Sequence, residues 1–454
     1  MSTQLDVDYL VVGAGAMGMA FTDALVDHSD ARVALVDRRH AAGGHWLEAY
    51  PFVRLHQASA FYGVASTLLG GGRLQESGPE QGLQERATRN EICRYFESVL
   101  TALTDSGRVQ FLSGCEYTGD HTVVSLVSGE RFSVPEHCRI VDAHYLAPSI
   151  PAEQPPPFAV EDGARVIAVN DLARLEEAPS EYVIAGAGKT ATDACIWLLA
   201  HGVDPDRITW VRPRDPWMFD RAAIQPDPAI FLGMVADLME AARGAASPED
   251  LFLRLEDAGI MLRIDRDVAP TMAKCPTLGR WELEQLRSLE HVVRHGHLTS
   301  VAPGRLGFAD ASVRVAPDAV VVHCAADGLK YPPLVPIWGP DAITLQPIRA
   351  GFPCFGAALA GYVEATRDDD GAKNRLCAPT PYGDSMRQWI AMTVLGGRSA
   401  AAATSEPDVK AWSNGVALNP ARIPEGYSSA ALDDARERLA AHGGPGMERL
   451  AQLV

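Results

Sequence analysis

Two stretches of this chain follow the same order of strand, glycine turn, helix and strand, and that order admits few folds. In the first, the apolar run Tyr9 to Val12 reads as a buried parallel strand, and Gly13-Ala14-Gly15-Ala16-Met17-Gly18 turns it directly into a helix. Gly13 permits the tight turn, Gly15 lets a pyrophosphate approach the backbone, and Gly18 lets helix pack on strand. The helix N-terminus then offers unpaired N–H groups and a positive dipole end. A second apolar run, Ala31 to Val36, ends at Asp37, 24 residues after Gly13, where a carboxylate accepts hydrogen bonds from a ribose with a free 2′-OH. FAD or NAD is favoured there over NADP. Gly43-Gly44-His45-Trp46 follows, either as a Gly-Gly turn with a packed Trp or as a second close approach of backbone to the cofactor.

In the second stretch the strand Tyr182 to Ala185 runs into Gly186-Ala187-Gly188-Lys189-Thr190-Ala191, then a helix through about His201 and the strand Ile208 to Val211. A nucleoside-triphosphate P-loop is excluded, because Val183 stands where that motif needs its first glycine. No acid closes this unit. Arg212 and Arg214 stand there instead, and a guanidinium suits a 2′-phosphate, so NADP(H) is the expected ligand. The alternative is a pair of solvated arginines beside Asp215.

The segments between these turns predict an α/β protein with two Rossmann-like dinucleotide-binding domains, each with a parallel sheet and a β-meander. Thr88 and Glu91 have capping-box spacing at the start of a helix over 88–103. Short β-prone runs at Val109–Leu112, Val123–Val127 and Arg131–Val134 read as a three-stranded meander that returns to the sheet through Cys138–Val141. The Pro-rich run 148–157 marks a boundary, giving a first FAD-binding part over 1–155 and an NADP(H)-binding domain over 156–330. Within the latter, about 217–297 reads as a helical insertion without sheet, with Ser247 and Pro248 opening one helix. Runs at 305–308, 312–315 and 319–323 give a second meander. Residues 331–454 return to the FAD domain and end in a helical extension from about Ser429. A helix starting near Cys354 could face a flavin, but close packing on a neighbouring helix is the commoner use of its Gly and Ala residues.

The formal net charge of −18 argues against nucleic acid and anionic membrane surfaces, both of which demand clustered Lys and Arg. No apolar run approaches the length of a membrane span, and no apolar leader precedes the first strand, so a cytoplasmic protein is expected. The eight cysteines are scattered, with no C-x-x-C and no metal-ligand spacing, so neither a redox disulfide nor a metal is expected. Arginine outnumbers lysine 35 to 5, as in a GC-rich bacterial genome.

A site for a dinucleotide with an unmodified ribose and a second for NADP(H), without a disulfide pair, makes most sense as FAD reduced by NADPH. The first glycine turn, Asp37, Gly43-Gly44-His45-Trp46, the Pro-rich junction and the second glycine turn together resemble the class B flavin-containing monooxygenases, over roughly residues 8–365. The resemblance implies that Gly13, Gly15, Gly18, Asp37, Gly44 and Trp46 contact or enclose FAD, and that Gly186, Gly188, Thr190 and Arg212 hold NADPH. It implies a small-molecule substrate, molecular oxygen as co-substrate, and a C4a-peroxyflavin that gives up one oxygen atom. The chain departs from the family where Val141-Asp142-Ala143 and Cys324-Ala325-Ala326 replace its Ala-Thr-Gly strand ends. Its linking fingerprint is reduced to Phe158, with Val160, Ala168 and Leu172 at the other positions. An NADPH-dependent flavin reductase or dehydrogenase and a non-catalytic flavin-binding redox sensor are the alternatives. No residue stands out as catalytic acid or base; His45, His56 and His144 read as packed histidines. The expected substrate lining is 50–66 and 217–235.

Overall fold

The computed structural model describes residues 3–325, 330–349 and 351–454. The strand-end residue Ala326 and Ala350, in the segment leading to the helix near Cys354, lie outside the described residues.

The first five-stranded sheet is wholly parallel. Its order is Ile343–Thr344, Arg139–Asp142, Tyr9–Val12, Val33–Asp37 and Val109–Ser113. Leu10, Val11, Ala34 and Leu35 are fully buried in it, as continuous apolar strands covered on both faces must be. Val109–Ser113 is therefore an edge strand of this sheet and not the first strand of the meander expected from the sequence. The meander consists of Cys115–Gly119, Thr122–Ser125 and Arg131–Ser133, joined by Thr3–Gln4. A lone β-prone run does not reveal whether it pairs with its neighbour in sequence or crosses over to an existing sheet.

The second parallel sheet has the order Arg165–Ala168, Val320–His323, Tyr182–Ala185, Ile208–Val211 and Val292–Val293. Its own small sheet is built from Ala159–Val160, Ser300–Ala302, Arg305–Gly307 and Ser312–Arg314.

The region 217–297 contains the expected helices, here Pro228–Gly244, Pro248–Asp257 and Arg280–Arg287. The expectation that it lacks sheet is corrected. Pro216–Asp220 pairs with Met261–Arg263 and Met272–Leu278, and Val292–Val293 leaves the helix to join the second sheet. Pro276 hid the strand Met272–Leu278, but that strand lies at a sheet edge, where a missing N–H is tolerated. Helix starts follow the sequence closely. Thr88 and Glu91 form a reciprocal capping box, Ser247 caps ahead of Pro248, and Ser429 caps Ala430–Gln452. The last helix lies against Pro228–Gly244 so closely that a Cβ on Gly446 would stand 2.5 Å from the Met239 carbonyl oxygen.

A buried ionic cluster ties the insertion to the segment that follows the first glycine turn. Arg221 is fully buried and pairs with Glu80 and with Glu282 (2.7 Å), while Arg86 holds the same Glu80 at 2.9 Å. Arg221 also donates to the His56 carbonyl oxygen at 2.9 Å, and Trp281 Nε1 donates to Glu80 at 3.1 Å. Burial alone would raise the Glu80 carboxyl, but Arg221 and Arg86 outweigh it and hold it at about 2. Arg221→Met should destabilise the protein by about 3–5 kcal/mol, since two carboxylates then lose a buried partner; urea denaturation at neutral pH measures this. Because the folded-state pKa of Glu80 is depressed, its contribution is present above the ordinary glutamate value of ~4.3. It should disappear as pH falls from there toward about 2, and Glu80→Gln should flatten the stability profile in that window.

Candidate functional site: two glycine turns and an apolar cavity

Gly13 leaves the first strand at φ +112°, and its N–H donates to the Val36 carbonyl oxygen at 2.8 Å, which fixes the turn against the next strand. A Cβ on Gly18 would stand 1.9 Å from the Gly13 carbonyl oxygen, so only glycine permits this approach of helix to turn. Gly15 begins the helix Ala16–Asp27 without a side-chain cap, leaving first-turn N–H groups for another acceptor. Asp37 is buried, and its carboxylate accepts the N–H of Ala14 (2.8 Å) and of Arg39 (2.9 Å), one on each oxygen. Each oxygen keeps a further lone pair. Beside it opens a cleft of about 730 Å³ lined by Val12, Asp37, Arg39, Tyr117, His144 and Glu153 among others, with Arg39 paired to Glu153 of the Pro-rich junction.

Gly43 and Gly44 have φ +124° and +59°, and the Gly43 N–H donates to Ala14 O at 2.9 Å. A Cβ on Gly44 would come within 3.0 Å of Gly15 Cα, so this turn lies directly on the first one. Trp46 is buried in the core, with its indole N–H on the Tyr62 hydroxyl and its carbonyl accepting from Arg89 at 2.9 Å.

The second turn repeats the first. Gly186 sits at φ +142° with its N–H on Val211 O at 3.0 Å, and a Cβ there would meet the Cys324 backbone at 3.2 Å. Gly188 starts Lys189–Ala200, again without a side-chain cap, and open space surrounds the place a Cβ would take. Thr190 lies in the first turn of that helix, where Lys189 pairs with Asp193 and Asp193 accepts the Tyr50 hydroxyl at 2.7 Å. Tyr50 thereby joins the two units.

Arg212 is buried rather than solvated. Its guanidinium stacks on Trp210 at 4.7 Å and pairs with Asp215 at 2.9 Å, while its Nε has no acceptor among the described residues. Asp215 is shared with Arg294 at 3.1 Å. Arg266, Arg287 and Arg294 line the same cleft of about 480 Å³, together with Asp265 and Glu290. Arg214 turns elsewhere, to Asp384.

Between the units lies an apolar cavity of about 310 Å³. From the lining expected in the sequence come Gln57, Phe219, Ile224, Phe231, Leu232, Met234 and Val235. The opposite wall, Trp389, Met392, Gly396, Gly397, Ala400 and Met447, comes from the helices Met386–Ser405 and Ala430–Gln452, which sequence reasoning did not connect with a site. Gly396-Gly397 inside a helix was the available signal, since such a pair lets another body approach. Helix Pro353–Thr366 packs on Ala16–Asp27, where a Cβ on Gly361 would stand 2.4 Å from Phe21 O. The close-packing use of its small residues is the one realised.

The cysteines are all free thiols, and most are buried. Among the described residues no His, Cys, Asp and Glu group could hold a metal, and no helix is long and apolar enough to cross a membrane. Burial, helped by Arg39, lowers the His45 pKa to about 4; burial, with Lys189 and Arg221 beside it, lowers that of His56 to about 3.

This is an α/β protein with two Rossmann-like glycine-turn units in one chain. A model of an NAD(P)-binding Rossmann-like domain matches residues 11–62. The chain belongs to the family of Uncharacterized protein Rv2000 of Mycobacterium tuberculosis, with which it is 42% identical over 419 residues, covering 91% of this chain and 78% of that one. The Mycobacterium bovis protein Mb2023 matches to the same extent. Among solved structures it is similar to a cyclohexanone monooxygenase from Rhodococcus sp. Phi1 bound to NADP+, at 14% identity and TM-score 0.48, covering 98% of each chain. It is also similar to a flavin-containing monooxygenase from Stenotrophomonas maltophilia, at 14% identity and TM-score 0.41, covering 81% of this chain and 98% of that one.

Both half-buried histidines should stay neutral throughout the physiological range. In a ¹⁵N-edited NMR titration of the imidazoles, His45 should titrate near pH 4 and His56 near pH 3. Since the unfolded imidazoles protonate near ~6.5, each group disfavours the folded state as pH falls below that value.

Proposed function

We propose that the protein is an FAD- and NADPH-dependent oxidoreductase that acts as a monooxygenase on a small apolar molecule. The observation that carries this reading is the duplicated cradle: two glycine turns that a Cβ would fill or distort, each opening an uncapped helix, with a cleft beside Asp37 in the first unit and beside Arg212 in the second. Residues 1–155 with part of 331–454 form the FAD domain, and 156–330 the NADP(H) domain. Gly13, Gly15 and Gly18 admit the FAD pyrophosphate, Asp37 accepts the ribose hydroxyls through its free lone pairs, and Gly44 closes over the turn. Trp46 supports this turn from the core through its carbonyl and indole contacts and helps to enclose the cofactor.

On the other side Gly186, Gly188 and Thr190 receive the NADPH pyrophosphate. Arg212 faces the 2′-phosphate with help from Arg294 and its neighbours, because its own charge is shared with Asp215. The bound cofactors supply hydride transfer and oxygen activation. The chain supplies placement and dryness: the apolar cavity excludes water, and His45 and His56, held neutral, add no charge.

The protein should purify yellow and release FAD on denaturation. Asp37→Ala should weaken FAD binding by about 1–3 kcal/mol, as expected when ribose hydroxyls lose an acceptor. NADPH should reduce the flavin in preference to NADH, and Arg212→Ala or Arg294→Ala should shrink that preference roughly tenfold. A wild-type preference for NADH would reject the assignment of the arginine cleft.

Oxygen transfer is tested separately. Under ¹⁸O₂ with NADPH and an accepted substrate, one labelled atom should appear in product for each NADPH consumed. Consumption matched by peroxide alone, across a screen of substrates, leaves the NADPH-dependent reductase in place of the monooxygenase.

A further inference from the structure

One charged residue lines the apolar cavity, and no described residue gives it a counterion. Arg349 lines the cavity and is the only charged residue to do so among the described residues. No described residue gives it a hydrogen-bond acceptor or an ion-pair partner. Its guanidinium carbon lies 5.6 Å from the Phe355 ring, and the Cys377 thiol is also near it. Burial lowers its pKa to about 10, which still leaves it cationic at neutral pH. Arg349 is half-buried, whereas the fully buried arginines described above have carboxylates: Arg221 has Glu80 and Glu282, and Arg212 has Asp215.

An unpaired guanidinium against an apolar wall is unfavourable unless something occupies its donors, and its planar fork matches a carboxylate bidentately. Gln57 is a second buried polar group that lines the cavity without a recorded hydrogen-bond partner. The remaining wall is aromatic, aliphatic and Met-rich, with room for an apolar body of roughly ten carbons, at the lower end of small-molecule pockets.

We propose that the cavity binds an apolar monocarboxylic acid, with its carboxylate on Arg349 and its hydrocarbon body between the helices Pro228–Gly244 and Met386–Ser405. As a statement of substrate class this rests on the oxidoreductase reading; as a binding site it does not, and the two are separable by experiment.

The test uses the full chain as purified, with whatever cofactor it carries, and isothermal titration calorimetry with decanoate, decanamide and decylamine. The wild type should bind decanoate at least about tenfold more tightly than decanamide, as a charge-assisted pair in a dry site requires, and decylamine more weakly than either. Arg349→Met should bring decanoate down to the affinity of decanamide while decanamide itself is unchanged, which also shows that the cavity is intact. Arg349→Lys should keep part of the preference, and it serves if the Met variant does not fold. Equal affinity for acid and amide in the wild type overturns the proposal, as does failure to bind either. So does an Arg349→Met protein that loses FAD or shifts the flavin potential while keeping its preference for the acid, since the guanidinium would then serve the cofactor. A colourless protein that still selects decanoate would retain this inference and reject the proposed cofactors; a yellow protein without selection would do the reverse.

Discussion

The buried pairing of Arg221 with Glu80 and Glu282 holds together the walls on which the central cavity depends. His56, whose carbonyl accepts from Arg221, precedes the wall residue Gln57, and Thr277, also hydrogen-bonded to Arg221, is itself part of the wall. Ile224 lies one turn beyond Arg221 on the insertion side. Two arginines and two glutamates meet with charges balanced and further hydrogen bonds from Trp281 and Gly279, which offsets the desolvation that isolated buried charges would suffer. The cluster also fixes orientation, because a guanidinium fork engages two carboxylates and a carbonyl only in one relative placement.

The glycine turns work by a different kind of constraint, the removal of a side chain. Gly18 and Gly361 allow backbones to approach so closely that Ala16–Asp27 is held by the turn at one end and by the helix Pro353–Thr366 along its face. The same economy recurs at Gly446 against Met239, where the last helix closes the cavity. Close packing at these points leaves the helix starts as the places where backbone N–H groups remain free.

Electrostatics divides the molecule by task. The Arg212 cleft gathers four arginines around few acids, the Asp37 cleft mixes both signs, and the central cavity carries, among the described residues, one cationic side chain in an apolar shell. A phosphate-bearing ligand, a ribose and an apolar body with one anionic end match these three environments in turn.

The sequence by itself determined the two glycine-turn units, because turn, helix and flanking strands are encoded within some thirty contiguous residues and each glycine answers a local steric demand. It likewise determined the helix starts at Thr88, Ser247 and Ser429, since a cap is satisfied by the first turn of its own helix. Pairing partners were not legible: Val109–Ser113 and Val292–Val293 are short apolar runs whose sheet is chosen by strands far along the chain. The opposite wall of the cavity was hidden for the same reason, as Trp389 and Met447 are set against Phe219 and Phe231 only when the last helix docks. The state of each arginine was also decided by tertiary structure. The local sequence of Arg212 holds its partner Asp215, but nothing in the local sequence of Arg221 or Arg349 tells which is paired with carboxylates and which lines an apolar cavity, because the Arg221 partners Glu80 and Glu282 come from other segments of the fold.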